Sequence, residues 1–324
     1  MERGRAMKLR EMYEVAVKKG EESDPRGPKG VALVLENAQQ EYDDLAERHR
    51  WEFDTERLTN PFADTRILVG EPDTDIKSAL VGIDLEVGEV LLADRLREKG
   101  RPVDLLLAHH PDGKALARLE EVMGVQADVW HKFGVPISYG DAVMSERMLE
   151  IRRSLHTRNN DQSLAAARLL GLPYLCCHTP ADNCVNAFLQ TRCDELPDNT
   201  TVDDVLDMLK AIPEYRDAVL QGMGPVIYEG EGSRRAGKIM VDMTGGTSGQ
   251  VESITRLAAA GVGTIVGMHM GEDHRKKAKE ERVNVVIAGH HASDSLGMNL
   301  IIDEYERRGV TVIPCSGFTR VSRA

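Results

Sequence analysis

Two pairs of adjacent histidines each follow an apolar run that predicts a buried strand. His109 and His110 follow VDLLLA and precede Pro111, and His290 and His291 follow VNVVIAG. In open α/β sheets, ligands bind at the carboxyl ends of the strands. Neutral imidazole nitrogens are common ligands of zinc and of other divalent metals. The two pairs therefore predict a metal site, although histidines also cap strands and bond to carbonyl groups.

Carboxylates follow two of the histidine segments at helical spacing. If the chain becomes helical after the second apolar run, His290 and Asp294 lie one turn apart on one face, and His291 points elsewhere. In a third segment, YLCCHTPADN, Asp182 follows His178 by four residues. An imidazole and a carboxylate at this spacing can reach a common ion.

The predicted metal ligands are more numerous than one tetrahedral ion requires. They are His109, His110, Asp182, His290 and Asp294. Two divalent ions about 3.5–4 Å apart that share a carboxylate would use all of them. We predict that His178 orients a ligand through a hydrogen bond rather than binding metal itself. Zinc, iron(II) and manganese all suit such mixed ligands.

A glycine-rich turn, TGGTSG, follows the apolar run 238–243. Such a turn at a helix N-terminus can hold phosphate or carboxylate. It also arises where a strand turns tightly into a helix, and this interpretation is favoured because no GxGxxG or GK[ST] pattern is present. Further along the chain, Glu272, His269 and His274 are predicted either at the rim of the metal cleft or on a solvated helix start.

The cysteines and the hydropathy indicate a cytoplasmic protein. Five cysteines, an odd number, lack the spacing of a disulfide framework, so reduced thiols are expected. Cys176 and Cys177 are adjacent in a predicted strand and point to opposite faces, which disfavours a joint metal site. The N-terminal residues lack the apolar segment of a secretory signal, and no stretch is suited to span a bilayer.

The charge balance disfavours nucleic acid as a partner. Among 324 residues, 41 are Lys or Arg and 53 are Asp or Glu, which gives a formal net charge of −12. A surface of this sign repels a phosphate backbone. A small-molecule substrate is the expected partner.

Short apolar runs alternate with helical patterns along the chain. The predicted strands are 66–69, 78–83, 103–108, 174–177, 238–243, 263–268, 284–288 and 311–314. The predicted helices are 9–19, 31–51, 87–99, 250–260 and 297–308. Strands that are apolar on both faces and joined by helices are typical of α/β proteins with mostly parallel sheets.

Turn-rich segments in the middle of the chain predict a second lobe. They lie around 194–203 and 222–237. We predict a smaller α/β lobe, 181–275, inserted into a main lobe formed by 1–180 and 276–324, which carries both histidine pairs.

The order of these motifs resembles that of the Nif-three-like dinuclear-metal-centre proteins, some of which are described as type 2 homologues of GTP cyclohydrolase I. The similarity runs in order through LVGIDLEVGEVLLADRLREKGRPVDLLLAHHP, YLCCHTPADN, MVDMTGGTSG and VVIAGHHASDSLG. It implies a two-lobed α/β fold with mixed, mostly parallel sheets flanked by helices, and ring-shaped homohexamers. It also implies two metal ions in the cleft between the lobes, bound by the five ligands named above.

The sequence departs from the family pattern in three places. Asp294 stands where the family usually has Glu. Asp112, Gly113 and Lys114 follow the first histidine pair where bulky apolar residues are usual. A long segment, 124–171, and N-terminal helices are added, and these differences bear on substrate access and assembly.

Two hypotheses of different class follow from the metal site. The first is a metal-dependent hydrolase in which two cations acidify a shared water that attacks a small polar or nucleotide-like substrate. His178 or Glu272 would then transfer the proton. The second is a non-catalytic metal-binding scaffold that acts through its oligomeric surface.

Overall fold

Apolar runs of the sequence form the strands of the protein. The structure, a computed structural model, describes residues 6–323, so residues 1–5 and 324 of the predicted main lobe lie outside it. In chain order the strands are β1 (Met7–Lys8), β2 (Arg66–Val69), β3 (Asp75–Ile76), β4 (Ser78–Gly82), β5 (Leu105–Ala108), β6 (Tyr174–Cys176), β7 (Val226–Glu229), β8 (Lys238–Asp242), β9 (Val262–Gly267), β10 (Asn284–Ile287) and β11 (Thr311–Pro314).

Helices connect most of these strands. They are α1 (Leu9–Glu22), α2 (Gly27–Asp44), α3 (Val87–Glu98), α4 (Gly113–Ala117), α5 (Val125–Lys132), α6 (Ile137–Leu155), α7 (Gln162–Leu169), α8 (Thr179–Asp194), α9 (Val202–Lys210), α10 (Pro213–Leu220), α11 (Ser253–Ala259), α12 (Glu272–Glu280) and α13 (His290–Arg307). Short 3₁₀ turns lie at Glu47–Glu52, Thr55–Leu58 and Leu119–Val122. No helix among residues 6–323 has the length and hydropathy needed to cross a membrane.

The first sheet has five strands in the order β11-β4-β5-β6-β2. The four strands β11, β4, β5 and β6 are parallel, and β2 joins the edge antiparallel. The strands β4, β5 and β6 are buried along their whole length, as expected for strands covered on both faces. The carboxyl end of β5 therefore lies in the middle of the sheet.

The second sheet has four strands in the order β7-β10-β9-β8. The strands β8, β9 and β10 are parallel, and β7 is an antiparallel edge strand. The mixed α/β fold predicted from the sequence is confirmed.

The strand β10 belongs to the second sheet. It lies in the segment 276–324, which the sequence predicts as part of the main lobe, and it pairs with β9 and β7. Its side chains are buried along the whole strand, so its apolar pattern is the same in either sheet and does not reveal its neighbour. Only the part of the chain after β10 returns to the first sheet, where β11 pairs with β4.

Two helices, α8 and α13, form a layer between the sheets. Leu296 of α13 and Val185 of α8 belong to the apolar core on the second sheet, whereas Met298 and Ala181 belong to the core on the first. The two helices approach closely at Gly297, where an added Cβ would lie 2.2 Å from the carbonyl oxygen of Ala181. The start of α8 and the start of α13 are thereby held side by side.

The added segment 124–171 covers both sheets rather than only the predicted main lobe. Trp130 of α5 and Met144 of α6 pack with Ile265 of β9 in the core on the outer face of the second sheet. Leu164 of α7 instead packs with Leu106 on the first sheet. The segment thus runs past the cleft between the sheets.

Candidate metal centre

The first histidine pair continues the hydrogen-bond ladder of β5. The backbone N–H of His109 donates to Gly82 O at 3.0 Å, and that of His110 donates to Ile83 O at 2.9 Å. His109 is fully buried, and its Nδ1 donates to the carbonyl oxygen of Cys177 at 3.1 Å. His110 is partly exposed, and its Nδ1 donates to Asp84 at 2.7 Å. In both rings Nε2 is therefore available to bind a metal ion or another partner.

The third segment lies beside the first pair, where β6 ends and α8 begins. The His178 backbone N–H donates to the hydroxyl of Thr65 at 3.1 Å, and its Nδ1 donates to Asp64 Oδ2 at 2.8 Å. Asp182 lies one helical turn further on, and its backbone N–H donates to His178 O at 3.1 Å. His178 and Asp182 are both buried.

The second pair opens α13, as the helical spacing predicts. Gly289 has φ of +111°, a conformation that favours glycine, and the helix begins at the next residue. His290 and Asp294 share one face, and His290 Nε2 lies 3.6 Å from Asp294 Oδ2. His291 does not line the cavity beside the cluster and instead lines a neighbouring cavity of about 470 Å³. The five predicted ligands are thus brought together, and His291 is not among them.

Asp294 occupies the centre of this cluster. Its Oδ1 lies 3.5 Å from His109 Nε2, and its Oδ2 lies 3.7 Å from His110 Nε2. His109 Nε2 also lies 3.5 Å from Asp182 Oδ1. Ligands of one tetrahedral ion with bonds of about 2.1 Å are separated by roughly 3.4 Å. The spacing of these atoms fits shared coordination of metal.

Several buried polar atoms of the cluster have no hydrogen-bond partner among the described residues. They are His109 Nε2, Asp182 Oδ1, Asp294 Oδ1 and Asp294 Oδ2. Leaving buried polar atoms unpaired is costly, and buried carboxylates normally meet cations or hydrogen-bond donors. The donor set of imidazole and carboxylate fits divalent metal ions. Overlapping groups of three potential ligands occur at His109–Asp182–Asp294, His110–His290–Asp294 and His109–His110–His178.

The electrostatics of the protein without metal favour the ligand forms of His109, His290 and Asp294, whereas burial raises the pKa of Asp182 well above its usual value. Burial lowers the pKa of His109, and it lowers the pKa of His290 to about 4, so both imidazoles are neutral near pH 7. Burial alone would raise the pKa of Asp294, but His109 and the other nearby histidines lower it to about 2. For His178, burial is outweighed by Asp182 and by the hydrogen bond to Asp64, which raise its pKa to about 9.

The cluster opens into a cleft of about 480 Å³ between the two sheets. His110, His178, Asp182 and His290 line one wall. The glycine-rich turn, residues 244–249, contributes to the other wall. The turn is followed by a short loop rather than directly by a helix, since α11 begins only at Ser253.

Of the three other residues that the sequence predicts near the metal cleft, one lines the cleft and two do not. His269 lines the cleft, and its ring centroid lies 4.9 Å from that of His290. His274 instead bonds to Gly249 O at 3.0 Å. Glu272 is not a lining residue of the cleft, and its exposed carboxylate pairs with Arg275 at 2.8 Å. This geometry gives no support to proton transfer by Glu272.

Sequence reasoning missed two acidic residues that hold the histidines. Asp64 and Asp84 lie in irregular segments, before β2 and after β4, where neither spacing nor periodicity marks them. Each accepts a hydrogen bond from the Nδ1 of a cluster histidine. A carboxylate in this position fixes the tautomer of the ring and raises its basicity.

Comparison with solved structures identifies the fold. The chain is similar to the crystal structure of a NIF3 superfamily protein from Sphaerobacter thermophilus, with a TM-score of 0.69 and 26% identity over 89% of this chain and 98% of that chain. Weaker similarity extends to reduced HcgD from Methanocaldococcus jannaschii, with a TM-score of 0.48 and 16% identity over 76% of this chain and 87% of that chain. A Bacillus cereus protein related to NIF3 has a TM-score of 0.44 and 12% identity over 99% and 98%.

No protein-family model and no curated protein matches the chain. The α/β fold with its two main sheets and the His/Asp cluster in its cleft define a protein with a candidate metal centre. The similarity to the Sphaerobacter thermophilus structure supports the assignment to the NIF3 superfamily that the motif resemblance predicts.

Proposed function

We propose that the cluster binds two divalent metal ions and that the protein is a metal-dependent hydrolase of a small polar substrate. The observation that carries this proposal is the position of Asp294, whose two oxygens face different histidines while being buried without a hydrogen-bond partner among the described residues. A carboxylate in this arrangement is suited to bridge two ions. When bound, two divalent cations would lower the pKa of a shared water and stabilise negative charge that develops on the substrate.

The ligands divide between the two proposed sites. His109, Asp182 and Oδ1 of Asp294 would hold the inner ion. His110, His290 and Oδ2 of Asp294 would hold the outer ion, nearer to solvent. The mixture suits zinc, iron(II) and manganese. Asp294, although one methylene shorter than Glu, lies within reach of His109, His110 and His290.

His178 is the proposed proton-transfer group. Its Nδ1–H donates to the buried Asp64, so Nε2 is the nitrogen that would exchange a proton in the cleft, and Nε2 lies 3.9 Å from Asp182 Oδ2. The Asp64 carboxylate also accepts a hydrogen bond from the Thr179 hydroxyl at 2.7 Å. A carboxylate that stabilises the imidazolium lets a histidine act first as base and then as acid.

The cellular setting and assembly are proposals as well. The cysteines of the described chain are free, and all but Cys315 are buried, which supports a reducing cytoplasm. The resemblance to Nif-three-like proteins supports a homo-oligomer, in the form of a hexamer. The formal charge of −12 supports a small-molecule partner rather than nucleic acid. Light scattering and a nucleic-acid shift assay at physiological salt test these points.

The hydrolase proposal is tested by metal content and turnover together. Elemental analysis of the purified protein with an anomalous diffraction map should find two ions at the cluster. The metal-loaded protein should hydrolyse a member of a panel of nucleotides, cyclic amides and phosphoesters, and His110→Ala should abolish this without unfolding. The panel includes GTP because of the resemblance to type 2 GTP cyclohydrolase I homologues. Two bound ions without turnover would instead favour the metal-binding scaffold.

A further inference from the structure

The chain that follows the first histidine pair is fastened to the added segment. The Gly113 N–H donates to the carbonyl oxygen of Asn160 at 2.6 Å, and Ser163 bonds to the carboxylate of Asp112. Gly113 has φ of +54°, and an added Cβ would lie 2.4 Å from Cδ1 of Leu164. Asp112 and Gly113, which depart from the family pattern, therefore hold the loop 156–161 beside the metal centre.

This loop brings Arg158 to the wall of the cleft. Its backbone N–H donates to Leu155 O at 3.1 Å, but its guanidinium has no ion pair or hydrogen bond within residues 6–323. Two carboxylates that line the same cleft have other partners, since Asp84 accepts from His110 and Asp112 accepts from Ser163. Arg158 therefore presents an unpaired positive charge beside the proposed reaction site. Guanidinium groups bind phosphate and carboxylate through paired hydrogen bonds.

The glycine-rich turn supplies a second set of donors to the same cleft. Gln126 of α5 donates to Gly245 O at 3.3 Å and also bonds to Thr247 O, and Arg147 of α6 donates to Ser248 O at 3.2 Å. The carbonyl groups of Gly245, Thr247 and Ser248 are thus occupied by side chains of the added segment. The backbone N–H groups of Gly246 and Ser248 have no acceptor in the described part of the chain. Such unpaired amides in a turn are suited to bind anions.

We propose that the cleft contains an oxyanion subsite formed by Arg158 and the glycine-rich turn, and that the substrate carries a phosphate or carboxylate group bound there. The subsite rests on the proposed hydrolase function, because it would orient the reacting part of the substrate toward the His/Asp cluster. It assigns the added segment 124–171 a direct role in selecting the substrate, through Arg158 and through Gln126, which holds the turn.

Calorimetric titration of the full-length protein with inorganic phosphate and with benzoate tests the subsite and distinguishes the two oxyanions. Metal-loaded and chelator-treated samples are compared, because phosphate also binds metal ions. Whichever oxyanion binds the wild-type protein more tightly should bind Arg158→Gln at least about tenfold more weakly than wild type. We expect this loss in the metal-loaded and in the chelator-treated sample. Arg158→Lys should be intermediate, because it keeps the charge and loses the paired donors.

Arg153→Gln is the matched control. Arg153 is an exposed residue of α6 that does not line the cleft, so its substitution should change oxyanion affinity by less than about twofold. Equal oxyanion affinity in wild type and Arg158→Gln, or a similar loss in Arg153→Gln, would overturn the subsite while leaving the metal content and turnover tests intact. If oxyanion binding depends on Arg158 but the protein hydrolyses no substrate of the panel, the subsite is supported and the hydrolase proposal is rejected.

Discussion

The Nδ1 atom of His178 lies 2.8 Å from Oδ2 of Asp64, a residue 114 positions earlier in the chain. Both side chains are buried, and Asp64 Oδ1 has no hydrogen-bond partner among the described residues. The pair therefore places a negative charge behind the imidazole that faces the cleft.

Replacing Asp64 with Asn should weaken metal binding or catalysis through His178. The amide keeps the shape of the side chain but removes the charge that increases the basicity of the ring. Metal affinity or kcat should fall by about 10- to 100-fold, as is usual for residues behind a metal ligand. A fall in affinity, measured by competition with a chelator, would indicate that His178 binds metal. A fall in kcat alone would indicate proton transfer.

Asp198→Asn is the control for this change, because Asp198 is exposed and outside the cleft. Unchanged affinity and unchanged kcat in Asp64→Asn would show that the buried pair has no part in the site.

The adjacent residues His290 and His291 should differ in their effect on metal content. His290 faces Asp294, whereas His291 lines the other cavity. His290→Ala should therefore lose one of the two proposed ions, and His291→Ala should keep both. Elemental analysis of the two variants, prepared in parallel, measures this difference. Equal metal content in both variants would contradict the proposed ligand set.

Adding a methyl group at Gly297 should separate α8 from α13. The new Cβ would lie 2.2 Å from the carbonyl oxygen of Ala181, so the helices must move apart. Gly297→Ala should lower the free energy of unfolding by about 1–3 kcal/mol, the usual range for overpacking. It should also lower metal affinity, because Asp182 follows Ala181 directly.

Gly88→Ala, in an open position on α3 with no atom near the new Cβ, is the matched control and should leave both properties nearly unchanged. Urea denaturation and chelator competition give the two measurements. If Gly297→Ala has the wild-type free energy of unfolding and the wild-type metal affinity, the close packing of the two helices is contradicted.

The stability of the protein should depend on the ionisation of Asp242 at the end of β8. Burial raises the pKa of this carboxyl to about 6, and its side chain has no hydrogen-bond partner in residues 6–323. Because the folded state holds the proton more tightly than the unfolded state, this residue is least destabilising below about pH 4. Its contribution becomes unfavourable as the pH rises through about 6.

Asp242→Asn should therefore stabilise the protein at pH 8 by on the order of 1–3 kcal/mol and have little effect at pH 4. Denaturant unfolding at the two pH values checks the difference. The same effect at both pH values would show that ionisation of Asp242 is not responsible.

The sequence is sufficient to predict the ligand histidines because local patterns mark them. Buried strands of four residues end before His109 and His290, and the four-residue spacing places Asp294 on the same helical face as His290. Local patterns also predict most strand positions. They do not specify which sheet β10 joins, because its buried side chains suit either one.

Other features depend on contacts between distant parts of the chain. Asp64 lies in the irregular segment NPFADT, and only the folded structure brings it to His178. The edge strand β7 is half-exposed, and its apolar run of Val226 to Tyr228 is short and borders a segment rich in glycine and charge, so the sequence does not mark it as a strand. The sequence does not indicate the role of segment 124–171 for the same reason. Its helices α5 and α6 pack on strands that lie about a hundred residues later in the chain.

The layer formed by α8 and α13 links occupancy of the cleft to the dynamics of the whole molecule. Asp182 lies near the start of one of these helices and Asp294 near the start of the other, and each helix contributes to the apolar cores of both sheets. By thermodynamic reciprocity, any ligand that joins the two carboxylates must make the opening of both cores less favourable, and any stress that parts the sheets must weaken binding of that ligand. Backbone amides deep in α13 should thus exchange with deuterium more slowly once ions are added, far from the ions themselves.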